Sequence, residues 1–527
     1  SARGFTRGGA RATIARVIID AWMQHPTERF LAQPWLESLK RWTRTDFAGE
    51  WPLRLLQRLS GQGARSWFVT QGAMSTHAGD AVAPGAAWQA PLWGLGRGAA
   101  LEDAAGWGGL IDLPVDAPET QAERLLHSLV EADGEDQCAW RGAQRHALRL
   151  RHAAPPPAAT FNARADATYL VTGGFGGLGL VAAAWLVERG ARHIALLGRH
   201  PDLTSEGVRA LQSAGATVIG LQGDVADAVS LAAVLAQLRA SAPPLRGVLH
   251  AAAALHAAPL NELDAAQLDA MLRPKLDGSL LLEQHTRGIG LDFLVLFSST
   301  TALLGASGLA HYAAANAFLD ALALATDSAA RRVLSINWGT WDVMRLASAD
   351  DQRGYREGGL LPMPAAAALD SLGRLLCTSH GTQAAQAVVA QIDWSVLKPL
   401  LESRRARPLL SHLGVSATVA TEAPRGAEAG ETLAERLAAM PAALRHEMLV
   451  EFVQREVADV LALGAAAAVP VTTGLFDLGM DSLMSVELKR RLERGAGRSL
   501  PSTMTFNYPN VEALARFLES QLTAKPA

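Results

Sequence analysis

TYLVTGGFGGLG, residues 168–179, runs directly into LVAAAWLVERG, 180–190. An apolar strand, a glycine-rich turn and a helical pattern follow one another without interruption. Gly173 permits a tight turn, Gly177 lets backbone approach a pyrophosphate, and Gly179 lets the helix pack on the strand. A second apolar run, HIALLGR, ends the next helical segment. Further strands follow at ATVIGLQGD, GVLHAAA, DFLVLFSS and RVLSINWG, each separated from the next by a helical pattern. Apolar strands alternating with helices predict an α/β fold: a buried parallel sheet covered on both faces, with a dinucleotide at the glycine turn.

The candidate cofactor contacts are Thr172, Gly173, Phe175, Gly176, Gly177, Leu178, Gly179, Arg199, Asp224, Val225 and Ala251. An enzyme selective for NAD usually carries an acid at the end of its second strand. Here that strand ends Gly198, Arg199, His200. A guanidinium at Arg199 suits the 2′-phosphate of NADP. Asp224 and Val225 close the third strand, where an adenine would lie, and Asp224 also reads as a helix N-cap.

The 527 residues are too many for a single core, so two to four domains are expected. With 49% hydrophobic and 19% charged residues the balance is globular. A net charge of -3 offers no footprint for nucleic acid. No apolar run is long enough for a membrane helix. Two distant cysteines suggest neither a disulfide framework nor a metal site, so a reducing cytoplasm is the expected location. The start, SARGFTRGGARA, lacks an initiator Met, which suggests a piece of something longer.

Composition divides the chain. Residues 1–150 show helical patterns (ATIARVIIDAW, ERFLAQPWLESLKRW) and then a strand, SWFVTQGA, that echoes TYLVTGGF without its glycines. This segment reads as a nucleotide-fold half that has lost its ligand site. After the breaker-rich RHAAPPPAAT, residues 160–412 form the cofactor-binding domain. Residues 413–432 read as a flexible linker. Residues 433–521 are helical throughout.

Ketone reduction needs a proton for the developing alkoxide, and a tyrosine delivers it when a nearby cation lowers its pKa. In LVLFSSTTALLGASGLAHYAAANAFLDALA, 294–323, Ser298 and Ser299 end a strand and Tyr312 opens a helix. A serine hydroxyl there can hold the carbonyl oxygen. One helical turn after Tyr312 stands Asn316, where a familiar short-chain reductase has lysine. The cation must come from elsewhere, and Lys275 in DAMLRPKLDGSLLL is the natural donor. Alone, Tyr312 would read as packing and Lys275 as a surface residue.

The chain here resembles the ketoreductase domain of modular type I polyketide synthases over about residues 60–412. The likeness rests on WGLGRGAALE, WGGLIDLP, TGGFGGLG, HAAA, RPKLDG, FSST, HYAAANAFLDALA and NWGTW. It implies a short-chain dehydrogenase/reductase fold of Rossmann type behind an amino-terminal structural, pseudo-Rossmann subdomain. It implies NADPH as cofactor, Tyr312 as proton donor, Ser299 as carbonyl anchor, and Lys275 with Asn316 as the remainder of the relay. Residues 341–362 are expected to form a lid. Two stereochemical markers of the family are incomplete. Of a Leu-Asp-Asp motif, Leu255, His256 and Ala257 keep only the leucine, and the alternative tryptophan position holds Leu304.

GLFDLGMDSLMSVELKRRLE, 474–493, resembles the Asp-Ser-Leu motif of acyl carrier proteins, a four-helix family, over about 433–521. The likeness implies 4′-phosphopantetheine on Ser482, attached by a phosphopantetheinyl transferase that reads Asp481 and the helix after it. A helix start suits the attached phosphate. Together the two resemblances imply reduction of a carrier-bound β-ketoacyl thioester, with a ketosynthase and an acyltransferase in the same module. The alternative is a silent reductase serving as a scaffold beside a working carrier.

Overall fold

The computed structural model describes residues 50–523, apart from 63–64, 78–79, 81, 84, 132, 329, 344–353, 379–384, 415–432, 434–436, 438–441, 462, 464–468, 477, 479, 481, 498–499 and 501–503. The expected helices before residue 43, residues 344–353 of the lid and almost all of the linker lie outside the described residues. The described chain falls into two compact units, the first holding both sheets described here and the second the carboxy-terminal helices.

In the first unit, α1 (Glu50–Leu59) leads into β1 (Ser66–Gln71), α2 (Ala90–Glu102), β2 (Trp107–Leu113), α3 (Pro118–Val130), β3 (Gln137–Arg141) and β4 (Gln144–Ala147). These strands form a sheet in the order β1-β2-β3-β4, parallel except for the last pair. Gly72 follows β1 with φ 63°, as a phosphate-binding turn would begin. The turn is filled from within. The fully buried Asp112 carboxylate accepts from the Ala73 N–H at 2.9 Å, from Thr70 Oγ1 at 2.6 Å and from Arg141 at 2.9 Å. An internal anion thus occupies the donors that a cofactor phosphate would need.

The catalytic half continues with β5 (Thr168–Thr172), α4 (Gly177–Glu188), β6 (His193–Gly198), α5 (Glu206–Ser213), β7 (Thr217–Gln222), α6 (Ala228–Ser241), β8 (Leu245–His250), α7 (Ala265–Thr286), β9 (Phe293–Ser299), α8 (Ala310–Thr326), β10 (Arg332–Trp338), α9 (Ala365–Leu376) and β11 (Gln386–Val389). Seven parallel strands lie in the order β11-β10-β9-β8-β5-β6-β7. Every residue of β5 is buried, because helices cover both faces, so the strand reads as one apolar run rather than an alternation. Residues of α4, α5 and α9 close one face, and residues of α6, α7 and α8 the other. Strand order reverses at β5, whose neighbours are β6 and β8. The crevice beyond the carboxyl ends of β5 and β8 is therefore the ligand position in such a sheet. The seventh strand, β11, was not expected from sequence. It is a four-residue edge, too short to show a pattern.

Helix α2 lies against α8. A Cβ added to Gly94 would stand 2.2 Å from the Ala313 carbonyl oxygen, and one on Gly98 would stand 2.3 Å from the Ala310 Cβ. Glycine at both positions lets the two backbones approach, and Trp93, Leu95, Phe318 and Leu319 share one core as a result.

In the second unit, α10 (Ala442–Val460), α11 (Ser482–Ala496), α12 (Met504–Asn507) and α13 (Val511–Thr523) enclose Leu449, Val453, Val457, Leu488, Leu492, Met504, Leu514 and Leu518. Tyr508 stacks on Phe517 with ring centroids 4.2 Å apart. This is the expected four-helix carrier fold.

Candidate active site and carrier serine

Gly173 takes φ 66°, and a Cβ there would lie 2.9 Å from the Ala252 backbone. A Cβ on Gly179 would lie 2.3 Å from the Gly173 carbonyl oxygen. Neither site tolerates a side chain, so the turn folds tightly onto the start of α4. Gly176 precedes α4 and provides no side-chain cap, leaving the first-turn N–H groups for an anion. Phe175 lies over Gly198 at the end of β6, where an added Cβ would meet its ring at 2.9 Å. Thr172 is buried, with Oγ1 2.7 Å from His250 Nδ1, and the Ala251 N–H donates to the Thr172 carbonyl at 3.1 Å. These contacts join the ends of β5 and β8 at the mouth of the crevice. Arg199 is exposed just beyond β6. The cradle fits a dinucleotide.

Two details differ from the expectation. Strand β7 ends at Gln222, so Asp224 and Val225 stand in the loop after it. Asp227, not Asp224, caps α6, accepting from the Ser230 N–H at 2.7 Å. Asp224 accepts from the Ala226 N–H at 2.9 Å and pairs with Arg273 at 3.0 Å, while Val225 is buried in the core.

The structure brings the catalytic candidates together from three elements. Lys275 lies in α7, Ser299 ends β9, and Tyr312 and Asn316 lie one turn apart in α8. Lys275 is 2% exposed; Nζ donates to the Phe297 carbonyl at 2.6 Å and lies 5.5 Å from the Tyr312 ring centroid. Burial pushes its pKa down to about 7, against the opposing charge of Asp320. The Asn316 amide donates to the Tyr312 carbonyl at 2.8 Å, while its buried Oδ1 meets no partner among the described residues. Ser299 Oγ accepts from the Thr301 N–H at 3.2 Å, leaving its own O–H to donate. The neighbouring His250 is fully buried, and desolvation first and the Lys275 charge second hold it neutral with a pKa of about 3.

Sequence reasoning missed the support behind this cluster. Asp320, Asn337, Ser298 and Arg97 are all buried and polar. Asp320 had a visible signal: an acid in the Ala- and Leu-rich HYAAANAFLDALALA, four residues after Asn316 and so on the same helix face.

In the carrier unit, Ser482 is the first residue of α11, a helix start as expected. Asp481 lies outside the described residues. Met480 before it is fully buried, its N–H donating to the Leu475 carbonyl at 3.1 Å.

The chain is similar to known proteins over most of its length. The KR domain family matches residues 167–343, the phosphopantetheine attachment site family matches 451–518, and the Rossmann fold domain of the polyketide synthase extender module SpnB matches 27–150. The polyketide synthase GfsA of Streptomyces halstedii is 36% identical over 480 residues, covering 88% of this chain. The chain spans only 6% of that relative's length. A solved structure of A-type ketoreductases from a modular polyketide synthase is 38% identical with a TM-score of 0.64, covering 68% of this chain and 76% of its own. The ketoreductase from the first module of phoslactomycin biosynthesis in Streptomyces sp. HK803 is 33% identical with a TM-score of 0.65, covering 71% and 86%. NADPH is the cofactor of such a reductase domain, and 4′-phosphopantetheine is the group such an attachment site carries. The chain belongs to the ketoreductases of modular polyketide synthases, continued in one polypeptide by a phosphopantetheine carrier domain.

Proposed function

We propose that this chain reduces a β-ketoacyl thioester, borne on phosphopantetheine at Ser482, to the β-hydroxyacyl thioester. The observation that carries the proposal is the buried Lys275 ammonium beside the Tyr312 ring. When bound, NADPH supplies the hydride. Ser299 donates to the substrate carbonyl oxygen and fixes its position. As negative charge grows on that oxygen, the Tyr312 hydroxyl gives up its proton to it. The Lys275 charge stabilises the phenolate left behind, which lowers the cost of the transfer. Asn316 holds its turn of α8 through the Tyr312 carbonyl and keeps Oδ1 as an acceptor for the relay. Arg199 selects NADPH over NADH through the 2′-phosphate, and Thr172, Gly173, Phe175, Gly176, Gly177, Leu178, Gly179, Asp224, Val225 and Ala251 surround the dinucleotide.

The chain acts within a module that also holds a ketosynthase and an acyltransferase, after a phosphopantetheinyl transferase has loaded Ser482, in the cytoplasm. No described helix is long and apolar enough to cross a membrane. The test is turnover of a short β-ketoacyl thioester with NADPH. A hydroxyl product supports the proposal. NADPH binding without any product would favour a reductase fold kept as a scaffold.

A further inference from the structure

Tyr312, Asn316 and Asp320 follow one another at four-residue spacing along α8, on one face of the helix. Asp320 is a buried carboxylate that accepts from Ser335 Oγ at 2.6 Å and from Asn337 Nδ2 at 2.7 Å. The same Asn337 amide donates to Ser298 Oγ at 3.0 Å and to the Ser299 carbonyl at 3.1 Å. Gln386 donates to Asn337 Oδ1 at 2.9 Å and so fixes which way the amide faces. Ser298 Oγ in turn donates to the Asn316 carbonyl at 3.2 Å. The network therefore clamps the end of β9, which carries Ser299, to the turn of α8 that carries Asn316.

A buried acid needs a reason, since placing a carboxylate in the interior is costly unless it is paired or hydrogen-bonded. Two cations act on Asp320 through their charge: Lys275 of α7 and Arg97 of α2. Arg97 already donates to Gln137 Oε1 and to the Ala302 carbonyl. Among the described residues Lys275 donates to a neutral carbonyl, beside the neutral His250 and the Tyr312 ring. The Asp320 charge opposes the downward push of burial on the Lys275 ammonium.

We propose that Asp320 is a positioning residue of the reductase: through Asn337 it fixes the end of β9 that carries Ser299 against the turn of α8 that carries Asn316. The inference rests on the relay described above and extends it by one layer.

Asp320→Asn keeps the shape and removes the charge. In the full chain, with a β-ketoacyl thioester and NADPH, kcat is expected to fall about tenfold or more near pH 8, with the KM for NADPH changed less than about twofold. The alkaline limb of the kcat profile should move down by about one pH unit, because Lys275 loses its proton earlier. A profile that superimposes on the wild type, or that drops equally at every pH, overturns the proposal, since a merely structural residue would not move the limb. If Asp320→Asn does not fold, Asn337→Ser decides. It keeps the charge and cuts the link to Ser299, so kcat should fall about fivefold or more with the limb in place, and an unchanged kcat overturns the proposal. An inactive wild-type chain would sink the relay and this inference together; an active one with an unmoved Asp320→Asn profile sinks the inference alone.

Discussion

The Lys275 ammonium reaches Tyr312 from a different helix, its nitrogen 5.5 Å from the ring centroid, while the position one turn after Tyr312 holds the buried Asn316. Lysine on α7 and tyrosine on α8 meet only because β9 runs between them in sequence and the two helices lie side by side on one face of the sheet. The cation is thereby held by the packing of the whole domain rather than by a single helical turn. Its Nζ is anchored on the Phe297 carbonyl at 2.6 Å, two residues before Ser299.

Cofactor choice follows from Arg199. A charged hydrogen bond to the 2′-phosphate contributes about 1.5–3 kcal/mol, so NADPH should be preferred over NADH by at least about tenfold. Arg199→Ala should bring the two kcat/KM values together. Retention of the preference in that variant would assign phosphate recognition to another residue.

Loading of the carrier follows from Ser482 at the start of α11. Incubation with coenzyme A and a broad phosphopantetheinyl transferase should add about 340 Da, one phosphopantetheine, on a hydroxyl at a helix amino terminus. Ser482→Ala should remove the gain. Mass addition persisting in the variant would place the arm elsewhere.

The close approach of α2 to α8 predicts that Gly94→Ala destabilises the reductase by about 1–3 kcal/mol, because the new methyl meets backbone atoms of Ala313 and Ala314 that cannot rotate away. Since Ala313 adjoins Tyr312, kcat should fall as well. An unchanged thermal midpoint would contradict so tight a contact.

Two buried histidines set the response to acid. Desolvation lowers His250 to about 3 and His311 to about 4. Their folded-state values lie below the unfolded one, so the unfolded chain takes up two protons as pH falls below about 6.5 and stability is lost in that direction. Asp320, raised by burial to about 6, works the other way and returns one proton to the folded state. The net uptake of one proton by the unfolded chain gives a loss of about 1.4 kcal/mol per pH unit between about pH 6 and 5. Denaturant midpoints followed by tryptophan fluorescence should fall over that window; flat or rising midpoints would contradict the burial of the pair.

Much of this was legible because local chemistry and fold agree along TYLVTGGFGGLG, where strand, turn and helix each leave a sequence signal. Six of the seven strands in the large sheet were apolar enough to read, and α11 announced itself by its amphipathic run. What escaped reading depends on tertiary contact. Asp112 occupies an empty cofactor turn only once β1 and β2 are paired. Asn337 and Ser298 become a clamp only when β9 and β10 align, placing Asn337 beside Ser298 in register. The cap of α6 went to Asp227 rather than Asp224, a three-residue error of the kind that turn geometry, not composition, decides.

The central claim is proton donation by Tyr312 under the charge of Lys275, and the most direct measurement is the pH profile of kcat for Tyr312→Phe and Lys275→Ala in the full chain. Tyr312→Phe keeps the ring and should lower kcat about 10²–10⁴-fold with NADPH affinity nearly unchanged. Lys275→Ala should also slow reduction and displace its profile toward higher pH, since an unassisted phenol titrates near about 10. The double variant should be little slower than Tyr312→Phe, because both residues act through one proton transfer. A folded Tyr312→Phe variant with near-normal turnover would contradict the account.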